Sequence, residues 1–184
     1  GVQTCALPIC AIEIYASDKN RDALRESAAN TITSLLDAAK PESDLQLQYA
    51  RILTALAHTP TQAAKIRSML NGELQGLVVD ADLRWTLLTS LVERGLATRD
   101  EVDAELKRDN TLTGQLAHER CLAAFPNKEA KERAFTKATE DDSISAWTRV
   151  AAIQGFTRPL HRDLIAGFVD RYFALLLQIG RAHV

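Results

Sequence analysis

The sequence has no long apolar run and no excess of charge of one sign. A membrane-spanning helix needs roughly 20 predominantly apolar residues, and the longest candidate, near the C-terminus, is interrupted by Asp163, Asp170 and Arg171. The 22 basic and 24 acidic residues are mixed along the chain, and no basic block could follow a phosphate backbone. We therefore expect a protein that neither enters a membrane nor binds nucleic acid.

Cysteine is also scarce. Of the three cysteines in 184 residues, Cys5 and Cys10 lie near the N-terminus, which leaves Cys121 as the one cysteine well inside the sequence. A lone cysteine in a helical segment is usually a small buried apolar residue, and it suits a reducing compartment. The sequence thus predicts a cytoplasmic protein without a disulfide framework.

The two ends of the chain differ from the rest. Residues 1–9 are GVQTCALPI and residues 179–184 are IGRAHV, and opposite strands of one common sequencing adapter can encode both segments. The codons ACG TGT GCT CTT CCG ATC give residues 4–9, and their reverse complement, read in another frame, gives the C-terminal segment. Scars of this kind are excluded from fold reasoning. We therefore predict adapter-derived artefacts at 1–9 and 179–184, and a fragment of a longer helical domain at 10–178.

Apolar residues recur with helical spacing along most of the chain, and strict apolar/polar alternation over the length of a strand is absent, so the sequence predicts an all-α fold. Three apolar stripes each require a packing neighbour. They comprise Leu45, Tyr49, Ile52, Leu53 and Leu56; Leu83, Leu87, Leu88, Leu91 and Val92; and Leu164, Ile165, Phe168, Val169, Tyr172 and Phe173.

Helix start signals are regularly spaced. The segments that begin at Ser43, Thr59 and Thr98 fit the capping-box pattern, in which a hydroxyl and a Gln or Glu three residues later bond to each other's backbone N–H groups. Stop signals recur at intervals of about 15 to 25 residues, which leaves only short connections. We expect antiparallel helix pairs that stack into a HEAT-like or armadillo-like curved solenoid, in preference to a compact bundle.

Known catalytic patterns are missing from the sequence. It has no His-Glu-x-x-His zinc motif, no Gly-x-Ser-x-Gly nucleophile motif and no phosphate-binding glycine loop. His118 and Cys121 lie one helical turn apart, but two ligands are too few for a metal site. We predict a packed Cys121, a surface His118 and neither a catalytic residue nor a metal ligand in this chain.

Two charged runs have structural interpretations. Residues 128–133 (KEAKER) are typical of a solvated helix face with weak ion pairs. Residues 140–142 (EDD) are typical of a loop that leads into a helix N-cap.

One ordered set of residues resembles a known family. The set consists of Asp82-Leu83-Arg84-Trp85, residues 76–80 (GLVVD) before it, and Glu105-Leu106-x-x-Asp109-x-Thr111-x-Thr113-Gly114 after it. It resembles the helical C-terminal domain of bacterial aminopeptidase N of the actinobacterial type. The resemblance continues downstream through Pro126, Glu129, Lys131, Ala134, residues 155–156 and residues 172–173. Upstream, Ser43-Asp44-x-Gln46-Leu47 also fits, so that the resemblance covers nearly all of residues 18–173.

The resemblance implies a zinc-dependent aminopeptidase that removes N-terminal residues from peptides. In that family the zinc ligands and the catalytic glutamate lie upstream of the helical domain, so no catalytic residue is carried over and no cofactor is expected in this fragment. The implied partners are the catalytic domain of the same polypeptide and a peptide substrate, over which the helical domain would close and limit access. The alternative is an independent helical-repeat scaffold that binds a protein partner.

Arg84 has a structural and a functional interpretation. A guanidinium in an apolar stripe is costly without a carboxylate partner, and Asp82 and Asp109 are the available partners. In the structural interpretation, Arg84 connects its helix to the turn at Asp109, and Trp85 fills a gap between helix layers. In the functional interpretation, Arg84 binds a peptide carboxylate. We expect Thr111 and Thr113 to cap the next helix and Gly114 to permit close packing. If a catalytic domain is missing, we also expect exposed apolar patches.

Overall fold

Helices follow one another with short connections in the computed structural model, which describes the backbone of residues 9–182 and the side chains of residues 9–177. A π-helical turn (Ala11–Tyr15) precedes α1 (Asp18–Ala38), α2 (Asp44–Leu56), α3 (Pro60–Leu70), α4 (Ala81–Val92), α5 (Arg99–Arg108), α6 (Leu112–Ala123), α7 (Lys128–Glu140), α8 (Ala146–Phe156), α9 (Arg162–Ile165) and α10 (Val169–Ala182). Short 3₁₀ turns, Pro159–His161 and Ala166–Phe168, flank α9. No strand occurs among the described residues, and the all-α prediction is confirmed.

The chain divides into two compact units, one ending at Leu91 and the other beginning at Val92. Residues 1–8 and 183–184, which belong to the two predicted adapter segments, lie outside the described residues. The predicted boundaries after residues 9 and 178 stay predictions. None of the described helices is long and apolar enough to cross a membrane.

The predicted helix starts have the expected cap geometry. Thr59 and Thr98 each form a full capping box, in which the hydroxyl accepts from the backbone N–H of Gln62 or Glu101 at 3.3 Å. Ser43 also caps its helix, but Gln46 does not reciprocate to Ser43. Its Oε1 atom accepts from the backbone N–H of Glu42 at 3.1 Å. Two of the three capping boxes are therefore confirmed, and the third has only its Ser43 half.

In the first unit, a turn at Gly76 fixes the connector between α3 and α4. Gly76 has a φ of +79°, and a Cβ atom there would lie 2.4 Å from the Cβ of Pro41. The backbone N–H of Glu42 donates to the Gly76 carbonyl at 3.2 Å, and the Gln46 amide donates to the Gln75 carbonyl at 2.9 Å. Only glycine has both the conformational freedom and the small volume that this contact requires. The connector thus packs against the start of α2.

In the second unit, α6, α7 and α8 run back and forth. Lys131, near the start of α7, contacts the last residue of α6, whereas Lys137 pairs with Glu119 further back on α6 at 2.5 Å. Arg149, near the start of α8, donates to the carbonyls of Ala138 and Asp141 at the end of α7, and Lys131, near the start of α7, donates to the Gly155 carbonyl at the end of α8. Each neighbouring pair is therefore antiparallel, as predicted. The further prediction of a solenoid stays a prediction.

The second of the predicted apolar stripes is confirmed, since Leu83, Leu87, Leu88, Leu91 and Val92 are all buried. In the first stripe, Leu53 and Leu56 are buried but Leu45 is 55% exposed. The buried face of α2 is centred instead on Gln46, Ala50 and Leu53. Backbone groups satisfy the Gln46 amide, so this polar side chain can be buried, and the buried face lies one residue from the predicted one.

The third predicted stripe packs only in part, because three of its six residues are exposed. Phe168 is buried, whereas Val169, Tyr172 and Phe173 are 48–58% exposed. Helix α10 is held through Arg171, whose guanidinium lies 4.6 Å from the ring centroid of Phe135 and pairs with Glu132 at 2.7 Å. A cation–π contact and an ion pair thus orient this helix, and its apolar face points to solvent.

Candidate functional site

Arg84 and Asp82, the two charged residues of the Asp82-Leu83-Arg84-Trp85 segment, have different partners. Arg84 is half-buried and its Nη1 atom donates to the carbonyl of Leu70, the last residue of α3, at 3.2 Å. Asp82 is exposed and pairs with Arg51 of α2 at 2.6 Å. Carbonyl groups at a helix C-terminus lack partners within the helix and attract cations. Within the first unit, Arg84 therefore caps the C-terminal end of α3.

Trp85 is a core residue, with 4% of its surface exposed. Its helix begins at the Asp80 carboxylate, which accepts from the backbone N–H of Leu83 at 2.8 Å. On the next turn, the Thr89 hydroxyl donates to the Trp85 carbonyl at 2.7 Å. The segment that carries the family resemblance is therefore largely packed inside the first unit. Whether Arg84 reaches Asp109, which lies in the second unit, stays a prediction.

The second part of the motif, from Asp109 to Gly114, forms a tight turn between α5 and α6. The Thr111 hydroxyl accepts from the backbone N–H of Gly114 at 3.1 Å and donates to the Asp109 carboxylate at 2.7 Å. Thr111 is thus the N-cap of α6, and its hydroxyl is hydrogen-bonded to the Thr113 hydroxyl at 2.9 Å. A Cβ atom at Gly114 would lie 1.9 Å from the Asp109 carbonyl oxygen. Glycine is required here because the turn folds back onto the helix backbone.

His118 and Cys121 do not form a candidate metal site with any further ligand among the described residues. Cys121 is fully buried, as predicted. The His118 side chain is only 14% exposed, and its Nε2 atom contacts the Asp103 carboxylate at 2.7 Å, so the prediction of a surface histidine is wrong. Hydrogen bonds from His118 and then from Arg99 hold the pKa of Asp103 below its usual range. Within the described part of the chain, no group of three or more His, Cys, Asp and Glu side chains could hold a metal ion.

Lys131 is a buried lysine of the second unit. It is 0% exposed, and its ammonium donates to the carbonyls of Ala123 at 2.7 Å and Gly155 at 3.1 Å. These carbonyls lie in the last turns of α6 and α8, where the partial negative charge of the helix dipole is concentrated. Burial lowers the pKa of Lys131 to about 8, with a further contribution from the positive charge of Arg158, against the opposing effect of Glu93. One ammonium thus joins the ends of two helices.

The sequence pattern misplaced Lys131 on a solvated face. The run at 128–133 is rich in charge, and this suggested that all of its members meet water. Ala134 and Phe135, three and four residues after Lys131, are buried. Residues at this spacing share one face of a helix, so the signal that could have found Lys131 was its place in an apolar stripe. In the 140–142 run, Glu140 is the last residue of α7, whereas Asp141 and Asp142 lie in the predicted loop before the N-cap Ser145.

A second buried charge, Glu93, lies close to Lys131. The Glu93 carboxylate pairs with Arg94 at 2.6 Å and with Arg158. Its backbone carbonyl contacts Nε2 of His161 at 2.8 Å. Burial, followed by the positive charges of Lys131 and Arg158, lowers the pKa of His161 despite its hydrogen bond to Glu93. We name Glu93, Lys131, Arg158 and His161 the buried charge cluster; all four lie in the second unit.

The buried charge cluster has the character of a structural joint. Its lysine and glutamate are almost inaccessible to solvent, so a dissolved substrate would not meet them. Its hydrogen bonds bind helix ends and connecting segments to one another. The carbonyls of Ala123 and Gly155 satisfy the Lys131 ammonium. Arg94 and Arg158 satisfy the Glu93 carboxylate, as buried charges require.

A known protein family matches the part of the chain that contains these residues. A family model described as the ERAP1-like C-terminal domain matches residues 11–182. The chain belongs to the ERAP1-like C-terminal domain family. The ERAP1-like C-terminal domain match includes the Asp82–Trp85 segment, the Asp109–Gly114 turn and the buried charge cluster.

The chain is also similar to a named relative of the same kind. It is 34% identical over 177 residues to an aminopeptidase N from Streptomyces lividans. The alignment covers 94% of this chain and 21% of the relative, so the chain spans about a fifth of the length of the aminopeptidase. Together with the ERAP1-like C-terminal domain match, this confirms the resemblance to the helical C-terminal domain of aminopeptidase N.

Proposed function

We propose that this chain is the non-catalytic C-terminal helical domain of a zinc aminopeptidase that removes N-terminal residues from peptides. The observation that carries the proposal is the 34% identity to an aminopeptidase N over 177 residues. The match to a family described as a C-terminal domain supports the same assignment. The partner of the domain is then the catalytic domain of the same polypeptide, and the longer polypeptide is called the parent enzyme below.

The zinc ion of this proposal is held by the catalytic domain. A catalytic zinc ion lowers the pKa of its bound water and polarises the scissile carbonyl. The described residues of this chain contain no fitting set of ligands, so we derive no zinc-dependent step from them. What the chain supplies is a folded helical surface, and we propose that this surface closes over the active-site chamber and limits the access of peptides.

Exposed apolar side chains support a role in packing against another domain. Trp147, Val150 and Ile153 follow one another at three-residue spacing on α8 and are 71%, 42% and 44% exposed. Helix α10 exposes a second set, which comprises Val169, Tyr172, Phe173, Leu176 and Leu177. Contiguous exposed apolar surface is typical of interaction sites. We also propose a cytoplasmic location, with which the buried Cys121 side chain is compatible.

Arg84 gives a direct test of whether this domain meets the substrate. In the parent enzyme, Arg84→Ala would raise the KM for peptides at unchanged thermal stability if the guanidinium binds a peptide carboxylate. If Arg84 serves only as the cap of α3, the variant loses thermal stability and keeps its KM. We propose the structural role, because the Leu70 carbonyl already accepts from Arg84. Arg99→Ala is the matched control, since Arg99 is an exposed arginine in an i,i+4 pair with Asp103.

Chamber closure predicts a dependence on peptide length. In the parent enzyme, replacing Trp147 and Ile153 by charged residues should weaken the packing between the two domains. Because access to the chamber would then be less restricted, the difference in kcat/KM between long peptides and a short aminoacyl-anilide should become smaller. An unchanged ratio, with the domain shown to be folded by circular dichroism, would contradict closure. A parent polypeptide without aminopeptidase activity would instead favour the helical-repeat scaffold that binds a protein partner.

A further inference from the structure

His161 joins two separate segments of the second unit. It lies in the 3₁₀ turn Pro159–His161, is 5% exposed, and its Nε2 atom contacts the backbone carbonyl of Glu93 at 2.8 Å. The neighbouring Arg158 pairs with the Glu93 carboxylate, and the Arg158 carbonyl accepts from the His161 backbone N–H at 2.9 Å. The side chains of the segment 158–161 are thus attached to both the backbone carbonyl and the carboxylate of Glu93.

The protonation state of His161 follows from these contacts. A carbonyl oxygen can only accept a hydrogen bond, so Nε2 must carry a proton. In the neutral imidazole Nδ1 is then a bare acceptor, and this buried atom has no hydrogen-bond partner among the described residues. A second proton would convert Nδ1 into a buried donor without an acceptor, which is an expensive arrangement. The geometry therefore favours neutral His161 in the closed structure.

The surrounding charges oppose the second proton as well. Lys131 on α7 and Arg158 on the same segment are both cationic neighbours of the imidazole. The Glu93 carboxylate acts in the opposite direction, but it is already paired with Arg94 and Arg158. Arg162 and Asp163, which follow His161 on α9, are exposed. Among the groups that face His161, positive charge is therefore in excess.

We propose that His161 is an acid-sensitive latch, and that its protonation releases residues 159–168 from Glu93. An opened segment exposes the imidazole to water, where both nitrogen atoms find partners. The released region ends at Phe168, which packs 5.0 Å from Phe135 and 5.2 Å from Phe156 between ring centroids. The aromatic contacts of the Phe168 ring keep α10 attached, so opening is confined to residues 159–168, with this ring as the fixed end of the segment.

Hydrogen–deuterium exchange on the 184-residue chain tests the latch. Exchange rates of amides in 159–168, divided by their intrinsic rates at each pH, report the opening equilibrium. Because one proton is bound on opening, this equilibrium should rise below about pH 6.5 by at most tenfold per pH unit. Amides of α2, in the other unit, serve as the internal reference.

Two substitutions separate the latch from general acid destabilisation. His161→Gln keeps a donor for the Glu93 carbonyl but cannot titrate, so its opening should not depend on pH between 5 and 7.5. His118→Gln is the matched control, because His118 contacts a carboxylate, and this variant should retain the acid response. Equal protection of 159–168 at all pH values in the unsubstituted chain, or an acid response that persists in His161→Gln, would overturn the proposal.

A proton NMR titration of the unsubstituted chain tests the latch independently, and it decides the question if His161→Gln does not fold. The His161 ring should have a midpoint below 6.5, and long-range ¹H–¹⁵N spectra should place the proton of the neutral form on Nε2. A midpoint at or above 6.5, or a neutral form protonated on Nδ1, would refute the latch.

Discussion

Lys131→Met should remove a distinctive pH dependence from the stability of the chain. The pKa of Lys131 is lowered from 10.5 to about 8, first by burial and then by Arg158. Between these values the unfolded chain binds a proton that the folded chain has lost. The free energy of unfolding therefore rises with pH in this window. Below about pH 8 Lys131 is protonated in both states, so it adds no pH dependence there.

The magnitude follows from the size of the shift. One pKa unit corresponds to 1.36 kcal/mol, so the full shift is equivalent to about 3 kcal/mol, of which about 2 kcal/mol develops between pH 7.5 and pH 10. Methionine is similar in length and does not titrate. The difference in unfolding free energy between the unsubstituted chain and Lys131→Met should thus change by about 2 kcal/mol over this range, in favour of lysine at high pH.

Urea unfolding followed by circular dichroism at 25 °C measures this difference at each pH. Other groups that titrate in the range contribute equally to both chains and cancel. Lys128→Met is the matched control, because Lys128 is exposed on the same helix, and its stability should follow that of the unsubstituted chain. Parallel stability curves for Lys131→Met and the unsubstituted chain would refute the account of Lys131 as a buried ammonium.

Three further predictions concern local structure and activity. Gly114→Ala should destabilise the second unit by at least about 2 kcal/mol in urea unfolding, because the added Cβ would lie 1.9 Å from the Asp109 carbonyl oxygen. Gly167→Ala is the control, because no atom lies within 4 Å of its added Cβ. This variant should change the free energy of unfolding by less than about 1 kcal/mol. Thr98→Ala should cost about 1 kcal/mol through loss of the α5 capping box, and Thr98→Ser should restore most of it. The purified chain should not hydrolyse an aminoacyl-anilide substrate with or without added zinc, and zinc-dependent turnover would contradict the assignment of catalysis to another domain.

Local signals in the sequence predicted much of the fold. Thr59 and Thr98 were identified as caps because the hydroxyl and the Gln or Glu three residues later act within one turn, where distant contacts have little influence. The stripe through Leu83 and Leu91 was identified because a helix with apolar residues at this spacing must bury them. These features depend on neighbours in sequence, and periodicity is enough to find them.

Other features depend on contacts between distant segments. The buried face of α2 includes Gln46 because the backbone groups of Glu42 and Gln75 satisfy its amide, and the second of these groups is 29 residues away in sequence. Lys131 is buried because the ends of α6 and α8 meet at its ammonium, and the two carbonyl groups are 32 residues apart in sequence. The partner of Arg84, the Leu70 carbonyl, is likewise a backbone atom that no side-chain pattern marks.

The DNA upstream of this segment tests the proposed function most directly. If the chain is the C-terminal domain of a zinc aminopeptidase, the same open reading frame should encode a His-Glu-x-x-His zinc motif several hundred codons upstream. Sequencing of the source DNA through that region provides the measurement. An in-frame zinc motif is the predicted result; a continuous upstream frame of several hundred codons without one would contradict the assignment to an aminopeptidase.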